Sequence, residues 1–337
     1  MRREWVEAWA EKWARKRILV VGDLMLDRFI WGSVSRISPE APVPVVRVER
    51  ESAFPGGAAN VARNLLPFVA EVRVVGIAGT GPQGTALFHC YQEHGIHTGG
   101  VVQHPDFETI VKTRVVARAQ QVVRIDRERV QNVEGEVADE VLRRAEASLE
   151  GMDALIVEDY GKGLVTQELM DAILALAARR SVPVTVDPNP ASGLIWKGVL
   201  AIKPNRHEAF HVAGLPEQSL EPNPARHPLT GELERRLREC WDCAHILITL
   251  GEEGMLLLER GAAPFHTPSR AQEVFDVSGA GDTAIALFTL ALLGGATPRE
   301  AAEAANYASG VVIGKIGTAT LTLRELLDSV PAMESKG

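Results

Sequence analysis

The eight residues Asp276-Val277-Ser278-Gly279-Ala280-Gly281-Asp282-Thr283 bring together flexible backbone, a helix start and two carboxylates. Gly279, Ala280 and Gly281 carry little or no side chain to obstruct an incoming anion. The apolar run 284–293 predicts a helix whose first unpaired N–H groups and positive dipole end face that anion. Negative charge developing on a transferring phosphoryl group is stabilised at such a place. Asp282 falls in the first helical turn, where a carboxylate can take the proton of an attacking hydroxyl, and Asp276 stands upstream on the incoming strand side. The pattern is that of a phosphate site with a base built in. A plainer account fits the same residues, a glycine turn followed by an ordinary cap, because aspartate is favoured at helix starts.

Composition narrows what such a site can serve. With 337 residues, 46% of them hydrophobic, the chain can bury a sizeable core. A formal net charge of -8 argues against nucleic acid or an anionic membrane as the main partner, and an anionic substrate then needs a local cluster of Lys and Arg. No uninterrupted apolar run approaches the ~20 residues of a membrane helix and no secretory h-region opens the chain, so a cytoplasmic protein is expected. Cys90, Cys240 and Cys243 are too few for a disulfide framework, and Cys240-x-x-Cys243 precedes a predicted strand rather than opening a helix that would activate a thiol.

Trp5, Trp9 and Trp13 recur every four residues among charged neighbours, predicting an amphipathic helix over 2–16 laid on the body of the protein or on a partner subunit. Residues 18–21 read as a buried strand ending at Gly22-Asp23, with Asp27 following where an open α/β sheet delivers side chains to its carboxyl-end crevice. Pro39, Pro42 and Pro44 punctuate 36–48, which suits an edge strand or a projecting flap. The strand 72–78 runs into Gly79-Thr80-Gly81-Pro82-Gln83-Gly84, a G-x-G-x-x-G before a predicted helix. That loop is the best support for a competing reading as an NAD-dependent oxidoreductase, but Asp106, the acid available for a ribose, lies past the end of the next strand at 100–102.

After a helix over 134–149, strands at 154–157, 182–186 and 200–203 each end in a polar turn: Glu158-Asp159-Tyr160-Gly161-Lys162-Gly163, Asp187-Pro188-Asn189 and Pro204-Asn205-Arg206-His207-Glu208. This alternation predicts a largely parallel, doubly wound sheet whose ligands lie outside the carboxyl ends of its strands. Taken alone, Asn205-x-x-Glu208 reads as a helix start with a Glu in its first turn. The proline-rich stretch 215–230 is expected to be an exposed loop, and strands at 246–250 and 254–258 follow it. On an extended 109–118, Lys112, Arg114 and Arg118 share one face and Val111, Thr113, Val115 and Ala117 the other, a cationic patch that can serve phosphate capture or simply guard an edge strand. No Walker loop or Ser/His/Asp motif competes: Gly84 precedes Thr85 without the required Lys, and His89, His94, His97 and His104 share no helical face.

A second glycine-rich segment, Gly56-Gly57-Ala58-Ala59-Asn60-Val61-Ala62, stands far upstream of the first. The two, in this order, resemble the paired signatures of the ribokinase-like, or PfkB, carbohydrate kinases. The resemblance implies an α/β fold, a three-layer αβα sandwich with a mostly parallel sheet and a small β lid from about 35–50 and 108–126, in a single kinase domain over 1–337. It implies Asp282 as catalytic base with Gly279, Ala280 and Gly281 as anion hole, and Asp27, Gly56, Gly57, Asn60, Asp159 and Lys162 on the sugar. Asn205, Thr249, Gly251, Gly254 and Asn306 are implied around the nucleotide, with Asn205 and Glu208 organising hydrated Mg2+. The cofactors are then ATP and Mg2+, with a monovalent cation such as K+ as a further candidate, and the partner a small-molecule sugar phosphate, in a homodimer joined through the lid. Gly81 departs from the family's Gly-x-Asp-x-x-Gly.

Within that family the likeness is to kinases that phosphorylate the anomeric hydroxyl of a heptose 7-phosphate, giving a 1,7-bisphosphate on the way to ADP-heptose and lipopolysaccharide. It is carried by 22–27, 35–46, 109–126 and 159–163. On this likeness Lys112, Arg114, Arg118 and Lys162 are expected to hold the substrate phosphate. A ribokinase- or fructokinase-like kinase is the alternative, with an oxidoreductase and a non-catalytic sugar-binding protein behind it. The chain ends soon after the kinase-like part, with no His-x-x-His nucleotidyltransferase loop beyond it, so a stand-alone kinase is expected.

Overall fold

The computed structural model describes residues 1–117, 120–271, 273–315 and 317–331. In chain order the elements are α1 (Arg3–Trp13), β1 (Arg17–Gly22), β2 (Leu24–Ile37), β3 (Pro44–Gly57), α2 (Ala58–Leu65), β4 (Glu71–Gly79), α3 (Pro82–Glu93), β5 (His97–His104), β6 (Ile110–Ala117), β7 (Gln120–Arg127) and α4 (Gly135–Ser148). They continue with β8 (Ala154–Glu158), α5 (Gln167–Arg179), β9 (Val184–Asp187), β10 (Trp196–Ile202), α6 (Arg206–Ala213), α7 (Thr230–Cys240), β11 (Trp241–Thr249), β12 (Met255–Glu259), β13 (Phe265–Thr267), α8 (Ala280–Gly294), α9 (Pro298–Ile313) and α10 (Leu323–Ser329).

The strands form a nine-stranded sheet in the order β13-β12-β11-β10-β9-β8-β1-β4-β5 and a four-stranded sheet in the order β3-β2-β6-β7. From β11 to β5 the large sheet is parallel, and β12 and β13 add antiparallel strands at one edge. Strand β1 shows why the layers form. Ile18 and Val20 join the core beneath α1, α2, α8 and α9, whereas Leu19 and Val21 join the core beneath α4 to α7. A strand buried on both faces must be apolar at every position, and successive side chains then serve opposite layers. Each such side chain stabilises the fold by about 1.5–3 kcal/mol. Helix α1 lies on its own body, not on a partner: Val6, Trp9 and Trp13 are buried, and Trp13 meets Phe68 edge-on with centroids 5.9 Å apart.

Several expectations change. The small sheet is larger than 35–50 plus 108–126, because β2 begins two residues after β1 and pairs with β3 along its whole length. Asp27 and the Gly56-Gly57 turn are therefore carried on lid strands. Strand β3 is an edge as its prolines suggest, but β6 is interior, between β2 and β7, so its Lys and Arg are not edge guards. Residues 215–230 are anchored rather than simply exposed: Leu220 and Pro224 are buried, and Glu253 accepts hydrogen bonds from Ser219 Oγ at 2.7 Å and Leu220 N–H at 3.2 Å. No described strand leads into Asp276, which sits in the loop before α8. Its carboxylate accepts the N–H groups of Ser278 at 2.9 Å and Gly317 at 3.2 Å. The three cysteines are free, Trp241 to Cys243 lie within β11, and burial pushes the Cys90 and Cys243 thiols up to about 12, which leaves them inert as nucleophiles.

Candidate active site

Helix α8 begins at Ala280 because Gly279, at its cap, adopts φ 81°, a left-handed conformation suited to glycine. A Cβ there would also come within 2.9 Å of Asn60 Nδ2. Asp282 is the third helical residue and is buried. Its carboxylate receives Asn60 Nδ2 on Oδ2 at 2.5 Å and the Tyr160 hydroxyl on Oδ1 at 2.8 Å. Burial pushes the Asp282 carboxyl up to about 6, against the two hydrogen bonds that favour its ionised form. Gly57, at φ 60°, turns the chain from β3 into α2 and so delivers Asn60. Thr283 Oγ1 donates to Asn64 Oδ1 at 2.9 Å, tying α8 to α2. The two glycine-rich segments thus meet across 222 residues of sequence.

The lid supplies the opposite wall. In the parallel β2/β6 pair Asp27 stands beside Lys112 and Phe29 beside Arg114, so these side chains share a face. The Arg114 guanidinium donates to Asp27 Oδ1 and lies 5.4 Å from the Phe29 ring centroid. Gly56 leaves room for the Asp27 carboxylate, which a Cβ there would overlap. Lys112 Nζ stands 5.6 Å from the Tyr160 ring centroid, and its pKa is lowered by burial and by the nearby charge of Lys162. Lys162 Nζ meets Glu128 Oε1 at 2.9 Å. Arg118 lies outside the described residues.

Beneath Asp282, Glu158, Asp187 and Lys203 stand at the carboxyl ends of β8, β9 and β10. No sequence motif marks these three as site residues, though each stands at or just past the end of a predicted strand. One oxygen from each of Glu158, Asp187 and Asp282 lies within 4.8 Å of the others, and Lys203 Nζ meets Asp187 Oδ2 at 2.8 Å. That ammonium is the internal counter-charge of the cluster. Burial, then the charges of Asp187 and Asp282, push the Glu158 pKa well above the usual carboxylate range, which disfavours its charged form. Burial also pushes Asp187 up to about 6 despite Lys203. Asp159 and Asn306 each hold neighbouring loops. Asp159, pushed up to about 7 by burial, accepts from Gly161 N–H, Ser192 Oγ and Asn189 N–H and so holds two loops together. Asn306 Nδ2 donates to Thr267 Oγ1 at 3.0 Å and Pro268 O at 2.7 Å, which fixes the end of β13.

The remaining expected nucleotide residues cluster at neighbouring strand ends. Asn205 and Glu208 form a reciprocal cap on α6, with Glu208 N–H to Asn205 Oδ1 at 2.9 Å and Asn205 N–H to Glu208 Oε2 at 2.7 Å. Burial raises the Glu208 pKa. Thr249 pairs with Asn205, and Gly251, at φ 63°, opens the short turn Gly251–Glu253 held by the 2.7 Å pair of Arg206 and Glu253. Gly254, at φ 91°, packs against the Thr267 carbonyl. The G-x-G-x-x-G loop does not face a ligand in this way. The Gly79 N–H is taken by Thr109 Oγ1 at 2.8 Å, Gly84 packs against the Gly79 carbonyl, and Gly81 caps α3 with open space around it. A dinucleotide would need that first amide and that close approach.

A buried, hydrogen-bonded carboxylate at a helix start, joined through Tyr160 to a cationic lid strand, can take a proton while the helix start stabilises a transferring phosphoryl group. Comparison with known proteins agrees with that chemistry. Residues 15–325 match the model described as pfkB family carbohydrate kinase. The Bifunctional protein HldE of Trichlorobacter lovleyi is 39% identical over 333 residues, covering 98% of this chain and 66% of that protein. The Bifunctional protein HldE of Geobacter sulfurreducens is 40% identical over 319 residues, covering 95% and 64%. The chain therefore spans just under two thirds of the length of these curated relatives. The structure of Arabidopsis thaliana ribokinase complexed with ribose and ATP superposes with a TM-score of 0.68 at 17% identity, covering 94% of this chain and 98% of that one, a likeness of fold. From its two joined glycine segments to this match over most of its length, the chain belongs to the pfkB family of carbohydrate kinases.

Proposed function

We propose that the protein transfers the γ-phosphoryl group of ATP to the anomeric hydroxyl of a heptose 7-phosphate, giving the 1,7-bisphosphate. The observation that carries the choice of a phosphorylated sugar is the half-buried placement of Lys112 and Arg114 on one lid face, Lys112 beside the Tyr160 ring that reaches Asp282, with Lys162 close by, in a chain of net charge -8. Burial and the nearby charge of Lys162 disfavour the charged form of Lys112, and a bound anion would relieve both. The HldE relatives support the same substrate, through the kinase part of those bifunctional proteins. Asp282 takes the acceptor proton as the new O–P bond forms, and the N–H groups of Gly279 and Gly281, with that of Ala280 once it turns from the Val277 carbonyl at 3.3 Å, receive the charge on the transferring group. Asp27 and Asn60 orient the sugar, and Thr249, Gly251 and Gly254 border the nucleotide, with Asn306 holding the segment beside them.

The residues at the nucleotide end fit a hydrated divalent cation. Glu208 is a hard oxygen donor whose charge is disfavoured by burial, and a cation there would compensate it. Asn205 and Glu208 would hold Mg2+ through water, and when bound it supplies neutralisation of the nucleotide phosphates. Glu208→Gln is expected to raise the Mg2+ concentration for half-maximal rate. An unchanged requirement in a folded variant would leave the pair as a helix cap alone.

The reading places the enzyme in the cytoplasm, where its nucleotide is, and pairs two copies through their lids. Exposed Val48, Val122, Val123 and Ile125 on the small sheet support that contact, and sedimentation at micromolar concentration reads it directly. Among the described residues no helix is long and apolar enough to cross a membrane. The function itself is tested by ADP release from ATP with a heptose 7-phosphate, the unphosphorylated heptose, ribose and fructose. Turnover strongest with the heptose 7-phosphate is expected. Equal kcat/KM for the two heptoses would return the protein to the ribokinase or fructokinase class.

A further inference from the structure

Tyr160 touches both the buried carboxylate and the lid. It follows β8 by two residues, and its backbone N–H donates to Asp23 Oδ2 at 2.9 Å. Lys162 N–H and Leu164 N–H donate to the same carboxylate at 3.0 and 3.2 Å. Asp23 is buried, so three backbone bonds to it hold the turn, and the phenol is mounted on a fixed base. The hydroxyl then reaches Asp282 Oδ1, and the ring lies under Lys112 Nζ of the lid. An ionised carboxylate offers about four acceptor positions, so Tyr160 on one oxygen and Asn60 on the other fix its rotamer and still leave a lone pair for a substrate hydroxyl.

We propose that Tyr160 is a positioning residue for phosphoryl transfer, holding Asp282 in its reactive rotamer through the hydroxyl and linking that rotamer to the lid through the ring. This rests on the reading of Asp282 as the base. In the step, the acceptor O–H proton passes to Asp282, the acceptor oxygen bonds to the γ-phosphorus, and the bond from that phosphorus to the bridging oxygen breaks, releasing ADP. The Tyr160 proton stays on Tyr160. The groups that act on Asp282 are Asn60 and Tyr160 by hydrogen bond and Asp187 and Lys203 by charge, with Glu158 alongside, its charged form disfavoured by burial. A donor to the carboxylate favours its ionised form, so removing the phenol raises the pH at which the base becomes available.

Tyr160→Phe keeps the ring under Lys112 and removes the hydroxyl. With ATP, Mg2+ and a heptose 7-phosphate, kcat is expected to fall by about 10- to 100-fold with KM for the sugar changed by less than about threefold. The acid limb of kcat/KM should move to higher pH. A second readout needs no substrate: the Asp282 carboxyl titration, followed by 13C NMR as the resonance lost in Asp282→Asn, should move above its wild-type midpoint. Tyr160→Leu should add a rise in KM, because the ring contact with the lid goes too. An unchanged limb together with an unchanged titration in folded Tyr160→Phe overturns the proposal, and a Leu variant identical to Phe overturns its lid half. Wild-type turnover in Asp282→Asn overturns the base assignment instead.

Discussion

Asp282→Asn is expected to lower turnover by about 100-fold or more while nucleotide binding survives. The substitution keeps the shape of the side chain but removes the proton acceptor. Its amide can be accommodated. With the oxygen of the new residue toward the Tyr160 hydroxyl, its NH2 meets Asn60, whose Oδ1 is buried without a partner and can turn to accept it. The fold should therefore tolerate the change, and the charge argument points the same way. Burial has raised the Asp282 carboxyl from 3.8 to about 6. A group whose pKa rises on folding contributes stability below its unfolded value, and that contribution is lost as pH rises through the folded one. Above about pH 6 the wild type carries a buried charge that Asn does not. The melting temperature of Asp282→Asn at pH 8 should consequently equal or exceed that of the wild type, which separates lost chemistry from lost structure. In the wild type, kcat/KM should fall as pH drops through about 6, because the base must be ionised to accept a proton. Near-normal turnover in the Asn variant would falsify the assignment.

Lys112→Ala is expected to erase the preference for a heptose 7-phosphate over the unphosphorylated heptose, lowering kcat/KM for the phosphorylated sugar by about 10- to 100-fold, the size of one charge-assisted hydrogen bond. The unphosphorylated sugar should be nearly unaffected. Binding energy from a remote phosphate orients the reacting hydroxyl, so kcat should fall along with affinity. Lys112 is a cleaner probe than Arg114. Arg114 is ion-paired with Asp27, which is itself buried, and removing the guanidinium strands that carboxylate. Breaking such a pair costs about 3–5 kcal/mol and would blur lost recognition with lost stability. Lys112 instead sits over an aromatic ring, with its charged form disfavoured by burial and by Lys162, a state that an incoming phosphate relieves. A preference that survives in Lys112→Ala would move phosphate recognition away from the lid.

Local requirements were legible in the sequence. The turns at Gly57 and Gly279 need positive φ, a demand that glycine answers wherever it stands, and the apolar run after Gly281 had to be a helix. Repeated strand, polar turn and helix predicted a parallel sheet with its ligands at the carboxyl ends, because a strand covered on both faces is apolar throughout. The lid's extent was less visible, since β2 continues from β1 after only Asp23 and no turn residues separate them. What only the tertiary structure decided is which polar groups face which. Asp27 and Arg114 pair across 87 residues, Tyr160 and Asp282 across 122, and Asn60 and Asp282 across 222. Nothing in local spacing encodes such meetings; they follow from how parallel crossovers stack strand ends side by side. The same packing buried Glu158 against Asp187 with Lys203 as counter-charge, and committed Asp159 and Asn306 to holding backbone. A residue type and a strand-end position mark a candidate, but burial and partners determine whether its charge is available for chemistry.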